Sequence, residues 1–219
     1  MNISENVYLN FHAHKQEPAE GETVIQSLFL QEEFTTQQHD RISFTAGLHP
    51  WHAEQMSTNE IEKKLEHLIK ENQILAVGET GLDKLKGPAL DLQLSVFKMH
   101  IEIAEKHGLP VIVHSVKTHN EVLKLKKDLN SKVSWVLHHF NGSKQLALDL
   151  IEHGFYLSVS HHIMGSDARL SRYLGDLPVD KIFLETDDFD VDIKRLYEVA
   201  AAKYGINTDD LKKQIIQNL

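Results

Sequence analysis

Short apolar runs alternate with longer amphipathic segments along almost the whole chain. The runs at residues 7–10, 23–29, 43–48, 74–78, 110–114, 133–138, 155–158 and 182–185 carry mostly Val, Ile, Leu or Phe and are bounded by polar or glycine-containing stretches, which predicts strands. Between and after them, apolar positions recur at helical spacing over 59–72, 89–107, 120–129, 144–153, 168–174, 193–204 and 208–217. The segment 193–204 is the clearest, with Ile193, Leu196, Val199 and Ala200 on one face, Gly205 as its stop and Thr208 as the cap of the next helix. Strands alternating with helices predict βα units and a parallel sheet.

Eight such strands imply an α/β fold, a (β/α)8 TIM-like barrel, although 219 residues fall below the ~250 usual for it. The shortfall can be located. Only about a dozen residues separate each of the first three strands, too few for a crossover helix with its loops. Residues 15–22 are polar and carry Pro18 and Gly21, which reads as a loop. The expectation is one domain over 1–219, a barrel with reduced helices in its first quarter. An open doubly wound sheet is the alternative.

Composition narrows the picture in three ways. The chain has no cysteine, so disulfides and thiolate metal sites are excluded, and a reducing compartment fits. No apolar run approaches the ~20 residues that span a bilayer, and residues 1–10 lack the basic start and apolar core of a signal peptide. A cytoplasmic protein with no membrane contact and no obligate protein partner is expected. The formal charge of -9 argues against a tight nucleic-acid binder that works by neutralising phosphates.

The 15 histidines call for an explanation by position. In parallel-strand folds the active site lies at the C-terminal strand ends. There the chain places His12 and His14, then Gly47-Leu48-His49-Pro50-Trp51-His52, then Gly78-Glu79-Thr80-Gly81-Leu82-Asp83, then His114, His138-His139 and Glu185-Thr186-Asp187-Asp188. His12 and His14, spaced i, i+2 on a strand, project from one face. The ligand set is nitrogen and oxygen only: His12, His14, His114, His138, Glu79 and Asp187. It suits Zn²⁺, Mn²⁺, Fe or Ni, or Mg²⁺ if fewer imidazoles engage. Six ligands exceed the need of one tetrahedral ion. Two divalent ions sharing Glu79 would use them all, could clamp a phosphoryl group and could lower the pKa of a water.

This series resembles the TatD family of metal-dependent deoxyribonucleases, within the metal-dependent hydrolase barrels. The matching pieces are Phe11-His12-Ala13-His14, Gly47-Leu48-His49-Pro50, Ala76-Val77-Gly78-Glu79-Thr80-Gly81-Leu82-Asp83, Leu109-Pro110-Val111-Ile112-Val113-His114-Ser115, His138-His139-Phe140-Asn141-Gly142 and Leu184-Glu185-Thr186-Asp187, in family order. The resemblance implies that His12, His14 and Asp187 hold one ion, His114 and His138 the other, with Glu79 bridging. It also implies a 3′–5′ exonuclease acting on DNA ends with Mg²⁺, Mn²⁺ or Zn²⁺. An activated water would attack phosphorus in line, with Asp187 as its general base and Glu79 the second catalytic carboxylate.

His138 is preferred to His139 because the family's ligand stands two before Phe140, and because adjacent strand residues face opposite ways. His49, Lys117 and Asn141 are the candidate substrate contacts. His161 and His162 read as bystanders, His100 as structural or solvated, and Asp83 as ordering the Glu79 loop. Lys124, Lys126, Lys127 and Lys132 read as a solvated helix face, and Trp51 and Phe140 as packing residues able to stack on a base. The chain departs from the family pattern in three places: Asn10 where Asp is usual, Val116 where Arg is usual, and the acidic Asp188-Phe189-Asp190-Val191-Asp192 in place of a Pro-rich loop. Such an acidic rim repels a polyanion, which leaves a small ester, lactone or phosphate as the alternative substrate. A non-enzymatic metal-binding protein is disfavoured, because structural sites close with about four ligands.

Overall fold

The computed structural model describes residues 4–34, 36, 39–165 and 168–219. Eight strands form one parallel sheet in sequence order, from β1 (Tyr8–Ala13), β2 (Glu22–Phe29), β3 (Ile42–Gly47) and β4 (Ala76–Asp83) to β5 (Val111–Val116), β6 (Trp135–Leu137), β7 (Phe155–Val159) and β8 (Ile182–Leu184). The helices are α1 (Thr58–Lys70), α2 (Leu90–His107), α3 (His119–Leu129), α4 (Lys144–Glu152), α5 (Ile193–Tyr204) and α6 (Thr208–Gln217). Strand order and the alternation with helices are those of the (β/α)8 class. Among the described residues no helix lies between β1 and β2 or between β2 and β3, as the short spacers require. No helix among them is long and apolar enough to cross a membrane.

The chain packs as two compact units, each discontinuous in sequence. The first comprises Met1–Gln26, Asp40–Ile42 and His139–Leu219. Here β1 runs parallel to the start of β2, with Leu9 opposite Thr23, and β7 parallel to β8, with Ser158 opposite Phe183. A parallel bridge from Ala13 to Asp187 ties the segment after β8 to β1. Phe11 stacks on Phe183 with ring centroids 4.0 Å apart. From α5, the fully buried Tyr197 grips β1: its hydroxyl donates to the Leu9 carbonyl at 3.0 Å and accepts from the Leu9 N–H at 3.1 Å. The buried stripe of α5 is Ile193, Leu196, Tyr197, Ala200 and Ala201, so Tyr197 takes the place expected of Val199. Gly205 caps α5 at φ +66°, while α6 is capped by Asn207, one residue before the expected Thr208. The helix expected over 168–174 is instead two 3-10 turns, Leu170–Arg172 and Leu174–Asp176. They are pinned by the Tyr173 hydroxyl on the Gly142 carbonyl at 2.7 Å, and Gly175 lies too close to the Lys203 carbonyl to carry a Cβ.

The second unit comprises Ser27–His39 and Ser43–His138. Here β4 continues to Asp83, beyond the end expected at Gly78. Glycine in a strand usually weakens it, but Gly78 and Gly81 are where β4 closes on β5. At φ +142° and +146°, a Cβ at either would strike the backbone of Ile112 or His114. Lys126 departs from the solvated face expected for it. It is buried, donates to the Val133 carbonyl at 3.0 Å, lies over the Trp135 ring, and burial lowers its pKa to about 8. Lys124 is exposed and pairs with Asp128.

His100 is fully buried in α2. Its Nδ1–H donates to the Val96 carbonyl at 2.8 Å, and its Nε2 accepts the Leu48 N–H at 3.0 Å, which holds the backbone next to His49. Burial lowers its pKa from 6.5 to about 4. Folding therefore keeps His100 neutral where the unfolded chain would protonate it, and stability falls as the pH drops from 6.5 towards 4. The loss is on the order of 3 kcal/mol over that window. Denaturant unfolding of wild type and His100→Gln across pH 4 to 8 is expected to show a shallower acid limb in the variant; parallel limbs would contradict this.

Candidate metal centres

In the second unit the site is built around one carboxylate oxygen. Three imidazole nitrogens approach Glu79 Oε1: His138 Nε2 at 2.7 Å, His114 Nδ1 at 2.8 Å and His49 Nε2 at 3.1 Å. All four side chains are buried. The Glu79 N–H donates to Ser27 Oγ at 3.2 Å, which fixes the backbone of this residue.

Hydrogen bonds on the far sides of the rings decide what each nitrogen can do. His114 Nε2 lies 3.3 Å from Asp83 Oδ2, so its N–H points at a carboxylate and Nδ1 is the atom turned to Glu79. That is the arrangement by which a ligating histidine is held and made more basic. Burial alone would lower the pKa of His114, but hydrogen bonds to Asp83 and Glu79 outweigh it and leave the pKa raised. Asp83 is fixed in turn by Trp51 Nε1 at 2.6 Å and by the Leu85 N–H at 2.7 Å. It thus orders the end of β4, as expected, and orients His114 as well. The face of Trp51 carries the Lys86 ammonium, 3.3 Å from the ring centroid, and Phe140 is buried, so both aromatics pack.

His49 differs from the other two. It caps the 3-10 turn Pro50–His52, and its Nδ1 accepts the Trp51 N–H at 3.2 Å. With Nδ1 engaged, the neutral ring carries its proton on Nε2 and donates it to Glu79. Burial lowers its pKa, which keeps it in this neutral form. His49 therefore positions Glu79 and does not offer a lone pair to an ion. Glu79, His114 and His138 could hold one. The His114 and His138 nitrogens are 3.3 Å apart, as two imidazoles on one tetrahedral zinc would be at about 3.3 Å.

In the first unit a second set gathers on Asp187. His12 lies in β1 and His14 just beyond it, and both face Asp187 as the i, i+2 spacing requires. Asp187 Oδ1 is 3.5 Å from His14 Nε2 and 3.8 Å from His12 Nε2. These three side chains can converge on one ion. The Asp187 backbone, at φ +55°, is pinned by its N–H on the His12 carbonyl at 3.0 Å.

Asn10, where the family pattern has Asp, is wholly buried behind this set. Its Nδ2 donates to Glu22 Oε1 at 3.1 Å and to Thr186 Oγ1 at 2.8 Å, and its Oδ1 accepts the Thr186 N–H at 3.0 Å. The buried carboxylate next to Asn10 is Glu22 at the start of β2, which also accepts the Ala19 N–H at 2.8 Å.

The other Asp187 oxygen, Oδ2, accepts from His139 Nδ1 at 2.7 Å. His138 turns to Glu79 and its neighbour His139 to Asp187, so each is engaged by a carboxylate. Strand β6 ends at Leu137, and His139 has φ +49°, so the alternation of strand side chains no longer applies there. His161 and His162, read as bystanders, gather on His139. Burial and then the neighbouring imidazoles hold His162 down to about 4 and His161 below its ordinary value. Lys117, at φ +57° just after β5, and Asn141 are both exposed.

A model described as TatD related DNase matches residues 22–219. The chain belongs to that family. A protein of Buchnera aphidicola described as an uncharacterized metal-dependent hydrolase is 32% identical over 161 residues, 68% of this chain and 60% of that one. The 3′-5′ ssDNA/RNA exonuclease TatD of Enterobacter lignolyticus is 29% identical over 157 residues, 69% of this chain and 59% of its own. The chain thus spans about three-fifths of the length of the curated relatives it matches. Among solved structures, the TatD homologue YJJV of Escherichia coli superposes with a TM-score of 0.83 at 21% identity, covering 98% of this chain and 96% of that one. A TatD family hydrolase of Entamoeba histolytica gives 0.77 at 15%, covering 97% and 96%. Both likenesses speak to the fold.

The Asn10–Glu22 arrangement can be tested directly. Asn10→Asp restores the family's usual residue but sets a second carboxylate at hydrogen-bond distance from Glu22. In metal-free protein at pH 7.5 the change is expected to destabilise by about 2 kcal/mol, and adding Glu22→Gln is expected to recover most of it. An Asn10→Asp protein as stable as wild type would contradict this repulsion between positions 10 and 22.

Proposed function

We propose that the chain is a divalent-metal-dependent hydrolase that removes nucleotides from DNA ends in the cytoplasm. One ion would be held by Glu79, His114 and His138 and another by His12, His14 and Asp187. The observation that carries this reading is that two carboxylates are each surrounded by imidazoles, with nitrogen and oxygen donors only. Family membership supports it, as does the exonuclease activity named for the Enterobacter lignolyticus relative.

When bound, Mg²⁺, Mn²⁺ or Zn²⁺ would lower the pKa of a water and offset charge growing on the phosphoryl oxygens. The remaining work falls to the chain's own groups. Asp187, oriented by His139 at Oδ2, is proposed as the group that takes the proton of an attacking water. His49 and Asp83 hold Glu79 and His114 in place, so neither has to reorganise as charge develops. Lys117 and Asn141 are proposed to meet substrate phosphate.

A second reading, hydrolysis of a small phosphate or carboxyl ester, is favoured by one observation. Asp188, Asp190 and Asp192, directly after Asp187, are exposed and would repel a polyanion. Incubation with 3′-terminated single-stranded DNA, 5′-labelled, and Mg²⁺ or Mn²⁺ is expected to give stepwise shortening. Glu79→Ala and Asp187→Ala are expected to lower it by at least about 10²-fold with the circular dichroism spectrum unchanged. Intact DNA alongside turnover of p-nitrophenyl phosphate or acetate would favour the second reading, and variants as active as wild type would refute both.

A further inference from the structure

His139, His161 and His162 meet in the first unit, and of the three only His139, through Asp187, touches the hydrolytic reading. Their nitrogens come within 4.8 Å of one another. His139 Nε2 and His162 Nε2 face each other at 3.1 Å. The other nitrogen of His139, Nδ1, faces Asp187 Oδ2 at 2.7 Å, so in the neutral ring the proton belongs there and Nε2, turned towards His162, is the lone pair. A carboxylate–imidazole pair of this kind is the usual support of a ligating histidine. His161 Nδ1 is buried with no hydrogen-bond partner among the described residues. The Phe189 ring covers His161, centroids 4.0 Å apart, and shields the group on that side.

We propose that His139, His161 and His162 form a further metal site, a three-imidazole set that takes a borderline transition ion such as Zn²⁺ or Co²⁺. Two nitrogens on one tetrahedral zinc lie about 3.3 Å apart, close to the separation of the His139 and His162 atoms. Three neutral imidazoles without a carboxylate disfavour Mg²⁺, which demands oxygen ligands. They leave the fourth position of a tetrahedral ion to water, so the site is open. The simpler account is a single N–H···N bond from His162 to His139. It leaves His161 Nδ1 unexplained, whereas an ion engages all three rings.

The test uses the full chain, loaded with Zn²⁺ or Co²⁺ and passed through gel filtration. Metal content is measured by plasma mass spectrometry for wild type, for His161→Ala/His162→Ala and for His162→Gln. Both variants leave His139, and so Asp187, in place. The expected result is one equivalent of zinc fewer in each variant, with loss of the matching tetrahedral Co²⁺ absorption near 600 nm and no change in circular dichroism. Equal zinc and unchanged cobalt spectra in wild type and a folded variant would overturn the site and leave the hydrogen bond as the explanation. Should the double variant fail to fold, His162→Gln carries the comparison. The hydrolase reading is tested apart from this, because His12→Ala/His14→Ala is expected to lose a different equivalent and to retain this one.

Discussion

The second unit depends on one buried oxygen. Three imidazole nitrogens converge on Glu79 Oε1, in surroundings that shed almost all water. A buried carboxylate costs several kcal/mol unless positive charge and hydrogen bonds answer it. A proton on His114 can do so, held there by Asp83, and so can a divalent cation in the proton's place. Much of the local structure serves this arrangement. Gly78 and Gly81 bring β4 against β5, Ser27 holds the Glu79 backbone, and His100 secures Leu48 beside His49. His49 can then spend its one N–H on Glu79, because the Trp51 backbone occupies its other nitrogen.

In the first unit the central carboxylate divides its two oxygens. Asp187 turns Oδ1 to His12 and His14 and Oδ2 to His139, so one side chain serves two groups of imidazoles. Behind it, Asn10 links two strands: its amide bonds Thr186 with both its oxygen and its nitrogen, and donates to the Glu22 carboxylate on the neighbouring strand. The contrast with Asp83 is instructive. There a carboxylate touches a ligand candidate directly, whereas Glu22 reaches Thr186, the residue before Asp187, through Asn10 and Gln16.

The strand pattern was legible because parallel strands buried on both faces read as short apolar runs, and all eight appear within a few residues of their expected places. The six ligand candidates could be named from the sequence because chemistry in such folds collects where strands end, and they gather on Glu79 and on Asp187. What stayed hidden depended on backbone details that no periodicity encodes. His139 escaped because its positive φ turns it out of the strand alternation. His161 and His162 escaped because their meaning comes only from His139, more than twenty residues earlier in the chain. The persistence of β4 past Gly78 was hidden because glycine marks both strand ends and close backbone approach, and only the neighbouring Ile112 tells them apart. Lys126 looked like its solvated neighbours because burial of a long aliphatic stem leaves no mark in composition.

The central claim is that these carboxylate–imidazole clusters are built for cations and not merely satisfied by protons. The direct measurement is thermal unfolding of chelator-stripped protein titrated with Mn²⁺ or Zn²⁺ at pH 7.5. Binding to the folded state alone raises the midpoint steadily with the logarithm of metal concentration. Wild type is expected to show that rise, and a Glu79→Gln/Asp187→Asn protein to show little of it. A wild-type midpoint indifferent to metal from micromolar to millimolar would contradict the account.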